Sequence, residues 1–286
     1  GSAAAGQDWP RTVIVGESEV TLTAEPERIV VASGDAAALV ADIADPADIV
    51  AISDIGDLTP AGVTVIPGNG GTDPEQVLSQ NPDLVLLTDR HGVEEDTAKL
   101  LRDSGVSVAM FSSDNWGTAA ELRDNALLIG ELTGREEAAQ DVADTIDESI
   151  AAAEAAAAST GAEPARVLTM MARGDQRMIK GTTELMNDLV RLNGGAAVID
   201  ELGVAASMPA DPEQIVALRP DVILIEDFQG RGEQDFAELL ANPALQGVPA
   251  IQEGRIHYLS QFTTGFPAGA RVVEGINSVG EVLAAE

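Results

Sequence analysis

Two short runs of the chain are apolar at every position. Leu84-Val85-Leu86-Leu87 and Val222-Ile223-Leu224-Ile225 carry no alternation of polar and apolar residues. That is the pattern of a strand covered on both faces, as in a parallel sheet wrapped by helices. Each run closes a longer repeat. Residues 73–87 read DPEQVLSQNPDLVLL and residues 211–225 read DPEQIVALRPDVILI, so the copies begin 211 − 73 = 138 residues apart. In each copy an Asp (Asp73, Asp211) stands where it can cap a helix, with Pro next at the first helical position. Pro82 or Pro220 then ends the connection before the strand. A helix leading into a buried strand, present once in each half, predicts two similar α/β lobes.

The rest of the pattern fits around that duplication. Residues 1–11 read as loose chain. Thr12–Val15 and Val20–Thr23 flank Gly16-Glu17-Ser18-Glu19 and predict a hairpin. Ile29–Ala32, Ile49–Ile52, Val63–Ile66 and Val106–Phe111 predict strands. Helices are expected from Gly34 to Ala44, from Glu94 to Asp103, and from the loop after Ser112 to Thr133-Gly134. Residues 135–159 contain almost no helix breaker, which predicts one helix of roughly 24 residues and about 36 Å. In the second half, Arg166–Met171 and Arg255–Leu259 predict strands. A helix capped by Thr182 or Thr183 should run to Leu192, another from Glu233 to Leu240, and a last one to about Ala285. The expected fold is α/β: two Rossmann-like lobes with mostly parallel sheets, 12–134 and 161–286, joined by a connecting helix over 135–160. Ligands of such sheets bind beyond the carboxyl ends of the strands. The loops starting at Ser33, Pro67, Thr88, Ser112, Ala172, Glu226 and Ser260 are therefore expected to line a cleft between the lobes.

Composition narrows the function. The chain has 286 residues, 45% of them hydrophobic, enough for two cores, but only 3% aromatic. The net charge is −32, from 48 acidic and 16 basic residues. Such a field repels nucleic acid and anionic membranes and suits a salty or extracellular setting. There is no cysteine, hence no disulfide and no thiol nucleophile. No run of about 18 apolar residues is present, so no spanning helix is expected. Gly1-Ser2 reads as an expression scar, and a signal segment or lipid anchor is expected to have been removed.

Catalytic signatures are thin. The glycine-rich stretch Pro67-Gly68-Asn69-Gly70-Gly71-Thr72 lacks the Lys-Ser/Thr of a phosphate loop, and no GxGxxG follows a strand. No Ser sits in GxSxG. Of two histidines, His257 falls inside an expected strand, whereas His91 follows a strand at the cleft-facing end. There it can ligate iron or contact a ligand, or simply be polar surface. Arg90, Arg173, Arg177, Lys180 and Arg231 gather in or beside the expected cleft loops of an acid-rich chain. Two readings of that gathering stand: guanidinium groups holding an anionic ligand, or local charge balance against Asp89, Asp175 and Asp227. Trp116, Phe228, Phe262 and Phe266 sit in the same loops and offer apolar faces to a large ligand. Met170, Met171, Met178 and Met208 read as core or pocket filling, with Met208 or Met178 also a candidate contact.

These pieces together resemble the substrate-binding proteins of ABC importers for ferric siderophores, haem and cobalamin. The resemblance rests on Pro26-Glu27-Arg28-Ile29-Val30, both DPEQ…PD repeats, the 135–159 helix and Gly254-Arg255-Ile256, and spans about Thr12 to Ala285. It implies a non-enzymatic, extracytoplasmic, monomeric protein, with no intrinsic cofactor, that captures a small iron complex and hands it to a membrane permease. It also implies little hinge closure. One acidic residue per lobe docks on the permease, which by motif means Glu75 and Glu213; each also reads as an ordinary first-turn Glu favoured by the helix dipole. Haem-binding relatives often place a Tyr just before one of the repeats. Here those places hold Gly68-Asn69-Gly70 and Ala206-Ser207-Met208, which makes Asn69 and Met208 candidate contacts, and the sole Tyr, Tyr258, is in an expected strand. The expected ligand is accordingly a ferric siderophore, which brings its own iron ligands, with haem (through His91) or a corrinoid as the alternative. An enzyme such as a sugar-nucleotide transferase on the same scaffold is the reading from a different class.

Overall fold

A computed structural model describes residues 8–66, 73–266 and 268–285. The glycine-rich stretch with Asn69 lies outside these residues, as do the first seven. The chain divides into two compact units. Residues 1–116 and 120–145 form the first; residues 117–119 and 146–286 form the second.

In the first unit, β1 (Arg11–Val15) and β2 (Ser18–Leu22) form an antiparallel hairpin. The main sheet follows with β3 (Ile29–Val31), α1 (Gly34–Ile43), β4 (Ile49–Ser53), β5 (Thr64–Ile66), α2 (Pro74–Ser79), β6 (Leu84–Asp89), α3 (Glu94–Asp103) and β7 (Ser107–Ser112). Its strand order is β5-β4-β3-β6-β7, parallel throughout. Val85, Leu87 and Val108 pack with Val77, Ala98 and Leu101 from the helices on one face. Burying each such side chain contributes about 1.5–3 kcal/mol. Helix α4 (Ala119–Thr133) is followed by α5 (Glu136–Thr160), a single helix of 25 residues. The boundary between the units falls inside α5, between Thr145 and Ile146.

The second unit is built from β8 (Arg166–Arg173), β9 (Gln176–Ile179), α6 (Leu185–Leu192), β10 (Ala196–Ala197), β11 (Met208–Pro209), α7 (Pro212–Leu218), β12 (Val222–Asp227), α8 (Gly232–Leu240), α9 (Pro249–Gln252), β13 (Ile256–Ser260), α10 (Gln261–Thr264) and α11 (Val272–Ala284). The order is β11-β9-β8-β12-β13, with β10 on β8. β8, β12 and β13 are parallel, whereas β9 runs antiparallel to β8 and β11 antiparallel to β9.

The duplication reaches the register. Ile29 faces Leu84 in the first sheet and Val167 faces Val222 in the second, each the same 138 residues on. Asp73 and Asp211 cap their helices by accepting from the backbone N–H of Glu75 and Glu213 at 3.0 and 3.1 Å. Asn81 and Arg219, just past the repeat helices, are both left-handed, with φ of 53° and 46°.

Three local expectations are corrected. The basic stretch 173–177 is not a loop: Gly174, at φ +58°, lets β8 turn straight back into β9, so Arg173 and Arg177 lie on hairpin strands. Neither Thr182 nor Thr183 caps α6. The Thr183 hydroxyl donates instead to the Ala205 carbonyl at 3.1 Å, and the helix begins at Leu185 behind Glu184. The stretch from Gln261 is helical rather than loop because the Ser260 hydroxyl caps α10 by accepting from Phe262 N at 3.2 Å.

Candidate functional site

At the carboxyl end of the first sheet, Ser33 closes β3 and caps α1, accepting from Ala36 N at 3.0 Å. Its hydroxyl also shares a hydrogen bond with that of Thr88 at the end of β6. Asp35, in the first turn of α1, is buried. Arg90 grips it with two bonds, Nη2 to Oδ1 at 2.7 Å and Nε to Oδ2 at 3.3 Å. Burial still pushes the Asp35 carboxyl above its ordinary range, against the pull of the guanidinium. Arg90 thus spends much of its hydrogen-bonding fork on its own protein.

His91 stands one residue further on. Its Nδ1 lies 2.7 Å from Glu94 Oε1. The same carboxylate accepts from the backbone N–H of His91 at 3.0 Å and of Val93 at 3.1 Å. Gly92, at φ +78°, makes the turn that brings these donors together. Burial raises the Glu94 carboxyl, but the backbone N–H bonds and His91 outweigh it and hold it below its usual range. The Glu94 side chain is 8% exposed and that of His91 46%. His91 Nε2 makes no hydrogen bond among the described residues. Glu94 is the residue that sequence reasoning missed. Its signal was its place at the first position of a helix three residues after a loop histidine.

Trp116 is only 8% exposed, its ring packed 5.4 Å from that of Phe111. Burial leaves little of it to meet a ligand, and its indole N–H has no hydrogen-bond partner among the described residues. Glu75 is exposed on α2, with no side-chain partner among the described residues.

In the second unit the basic gathering largely dissolves. Lys180 is 1% exposed and ion-paired with Glu226 at the end of β12, with Glu184 at 3.8 Å. Arg177 Nε donates to the Asp235 carbonyl, Nη1 donates to the Gly174 carbonyl at 3.1 Å, and the guanidinium lies 5.7 Å from the Phe236 ring centroid. Neither cation is free for a ligand, so the expected anion-holding cluster shrinks to Arg173 and Arg231. Both are exposed. The partners are Asp35 and Glu226 rather than the neighbouring Asp89, Asp175 and Asp227. Asp227 instead accepts from Gly232 N at 2.7 Å.

Phe228 and Arg231 do come together: the guanidinium sits 5.7 Å from the ring centroid, and the ring is 42% exposed. Phe262 is half-buried on α10 and Phe266 is exposed beyond it. Met208 is half-buried in β11 opposite Ile179. His257 and Tyr258 are in β13, as the sequence indicated. Burial, with Glu233 and Asp227 nearby, raises the Tyr258 phenol above its usual value. Glu213 is exposed on α7, again with no side-chain partner among the described residues.

The described residues include no helix long and apolar enough to cross a membrane and no cluster of three or more His, Asp or Glu fit to hold a bare metal ion. What they offer is a rigid histidine, a few aromatic faces and two exposed arginines. Those are the parts of a binding protein, and comparison with known proteins agrees. The family model for periplasmic binding proteins matches residues 20–262, and the chain belongs to that family. Its proteins are non-enzymatic, work outside the cytoplasm and deliver small-molecule ligands to ABC permeases.

Among curated proteins, a cobalamin-binding protein of Halobacterium salinarum is 26% identical over 262 residues, 89% of this chain and 69% of the relative. Among solved structures, the periplasmic heme-binding protein RhuT from Roseiflexus sp. RS-1 is 22% identical with a TM-score of 0.77, over 91% of this chain and 98% of that one. The periplasmic heme-binding protein BhuT, solved with two hemes, is 23% identical with a TM-score of 0.75, over 90% and 98%. The two structures share the two-lobed α/β fold.

Proposed function

We propose that this chain is the substrate-binding component of an ABC importer for a metal-centred macrocycle, a cobalt corrinoid in the first place. The observation that carries this reading is the fate of the basic residues. Arg90, Arg177 and Lys180 are committed to Asp35, the Asp235 carbonyl and Glu226. A ligand that needs several cations is poorly served. A large, weakly charged macrocycle needs apolar faces and a few polar contacts; the second unit by itself offers the faces of Phe228 and Phe262, and the first by itself offers His91. The similarity to a cobalamin-binding protein over 89% of the chain supports the same choice. Haem shares this chemistry. A ferric siderophore is the second reading, favoured by the exposed Arg231–Phe228 pair and by Arg173, which suit an anionic complex with aromatic groups.

Delivery is proposed to use Glu75 and Glu213. Each is exposed at the equivalent place in its repeat, where a basic permease surface can pair with it.

The test is a calorimetric titration of the purified protein with cyanocobalamin, haemin, a ferric hydroxamate and a ferric catecholate. The corrinoid is expected to bind tightest. Tight binding of a ferric siderophore with no binding of the corrinoid would reverse the order of the two readings.

A further inference from the structure

We propose that His91 is an axial ligand to the metal of the captured complex, positioned by Glu94, and that it selects complexes with an exchangeable axial site. This rests on the macrocycle reading above.

An ionised carboxylate only accepts hydrogen bonds. Glu94 already accepts from the backbone N–H of His91 and of Val93. Its contact with His91 Nδ1 at 2.7 Å therefore requires the proton on Nδ1. In the neutral imidazole Nε2 then carries the lone pair, and it has no hydrogen bond among the described residues. A carboxylate behind one imidazole nitrogen, with the other turned outward, is the arrangement that orients histidine ligands and raises their basicity. The backbone locks it in place: Gly92 makes the turn, Glu94 is buried, and the ring cannot rotate without breaking the Nδ1 bond. Little side-chain entropy then remains to be lost when Nε2 meets a metal. A solvated surface histidine has no need of this. The chain's other histidine, His257, lies within β13.

The chemistry is a ligand substitution. In an aquo-cobalt(III) corrinoid the Nε2 lone pair forms a Co–N bond as the Co–O bond to water breaks. The water leaves, the proton stays on Nδ1, and no electron is transferred. A corrinoid whose upper position holds cyanide offers no such exchange and is bound by its periphery alone.

The experiment titrates the protein separately with aquocobalamin and cyanocobalamin at neutral pH, following the visible absorption bands. Aquocobalamin should shift its bands on binding and bind at least about tenfold more tightly than the cyano form, the scale on which ligand and supporting contacts act. His91→Ala should remove both the band shift and the preference. Glu94→Ala should weaken the preference several-fold, and Glu94→Gln, whose carbonyl still accepts from Nδ1, should restore most of it. A helix cap with no part in ligation would leave the aquo/cyano ratio untouched in all three variants. Equal binding of both forms with no band shift would overturn the axial role while leaving the macrocycle reading intact. Failure of both forms to bind would overturn the corrinoid reading and the axial role together.

Discussion

Asp83 holds the backbone N–H of Arg28 at 3.0 Å, while the Arg28 guanidinium reaches back to the carbonyls of Asn81 and Gln80. Asp221 and Arg166 repeat this in the second unit: the Asp221 carboxylate accepts from Arg166 N at 2.9 Å, and Arg166 donates to the carbonyls of Arg219 and Leu218. The Asp of each PD motif thus fixes where the first strand enters its sheet, and the Arg closes the end of the repeat helix. Asp83→Ala and Asp221→Ala are each expected to cost about 1–2 kcal/mol, as for the loss of charged hydrogen bonds near the surface. Urea unfolding with hydrogen exchange assigns each loss to its unit. A neutral effect for both would remove the structural meaning given to the motif.

Gly265 is expected to tolerate no side chain. A Cβ there would lie 2.1 Å from Glu226 Oε1, forcing Glu226 away from the buried Lys180. Gly265→Ala and Lys180→Met should each cost about 3–5 kcal/mol, since each leaves a buried charge without its partner. The double variant Lys180→Met with Glu226→Leu should recover much of that loss. Chemical denaturation of the four proteins, including the wild type, makes the comparison.

Two carboxyls give opposite pH dependences. Asp35 is raised by burial despite Arg90, so its contribution is fully present below its unfolded value of about 3.9 and is lost as pH rises through the folded value. Asp35→Asn should therefore gain on the wild type as pH rises out of the acid range. Glu94 is lowered: burial raises it, but the backbone N–H bonds and His91 prevail. Its contribution is present above about 4.3 and is lost as pH falls through the folded value. Glu94→Gln should be weaker than the wild type at neutral pH and converge with it in acid. Urea midpoints between pH 3 and 7 read both trends.

Reversing charge at both exposed repeat glutamates, Glu75→Arg with Glu213→Arg, should abolish uptake by the reconstituted importer and leave ligand affinity unchanged. Normal transport by that double variant would sink the docking assignment.

The net charge of −32 repels itself at low ionic strength, and the screening length falls from about 10 Å at 0.1 M salt to about 3 Å at 1 M. The unfolding temperature is expected to rise over that range of potassium chloride. A flat response in calorimetry would show that acidic surface to be already balanced.

What the sequence by itself determined is local or repeated. Asp-Pro caps, all-apolar strands and the uninterrupted alanine-rich stretch that becomes α5 are each set by neighbours a few residues apart. The 138-residue repeat then carried the first unit's pattern into the second. The hairpin between β8 and β9 sat at the edge of legibility: its signal was one glycine, hidden by the basic residues around it. What only the tertiary structure decided is which charges remain for a ligand. Arg90 meets Asp35 across 55 residues, and Lys180 meets Glu226 because the sheet brings the ends of β9 and β12 together. An arginine in a loop reads the same whether its partner is a ligand or a buried carboxylate. Only the packing that removes that carboxylate from water makes the pairing, and with it leaves His91, Arg173 and Arg231, rather than Arg90, Arg177 and Lys180, as the groups a ligand can meet.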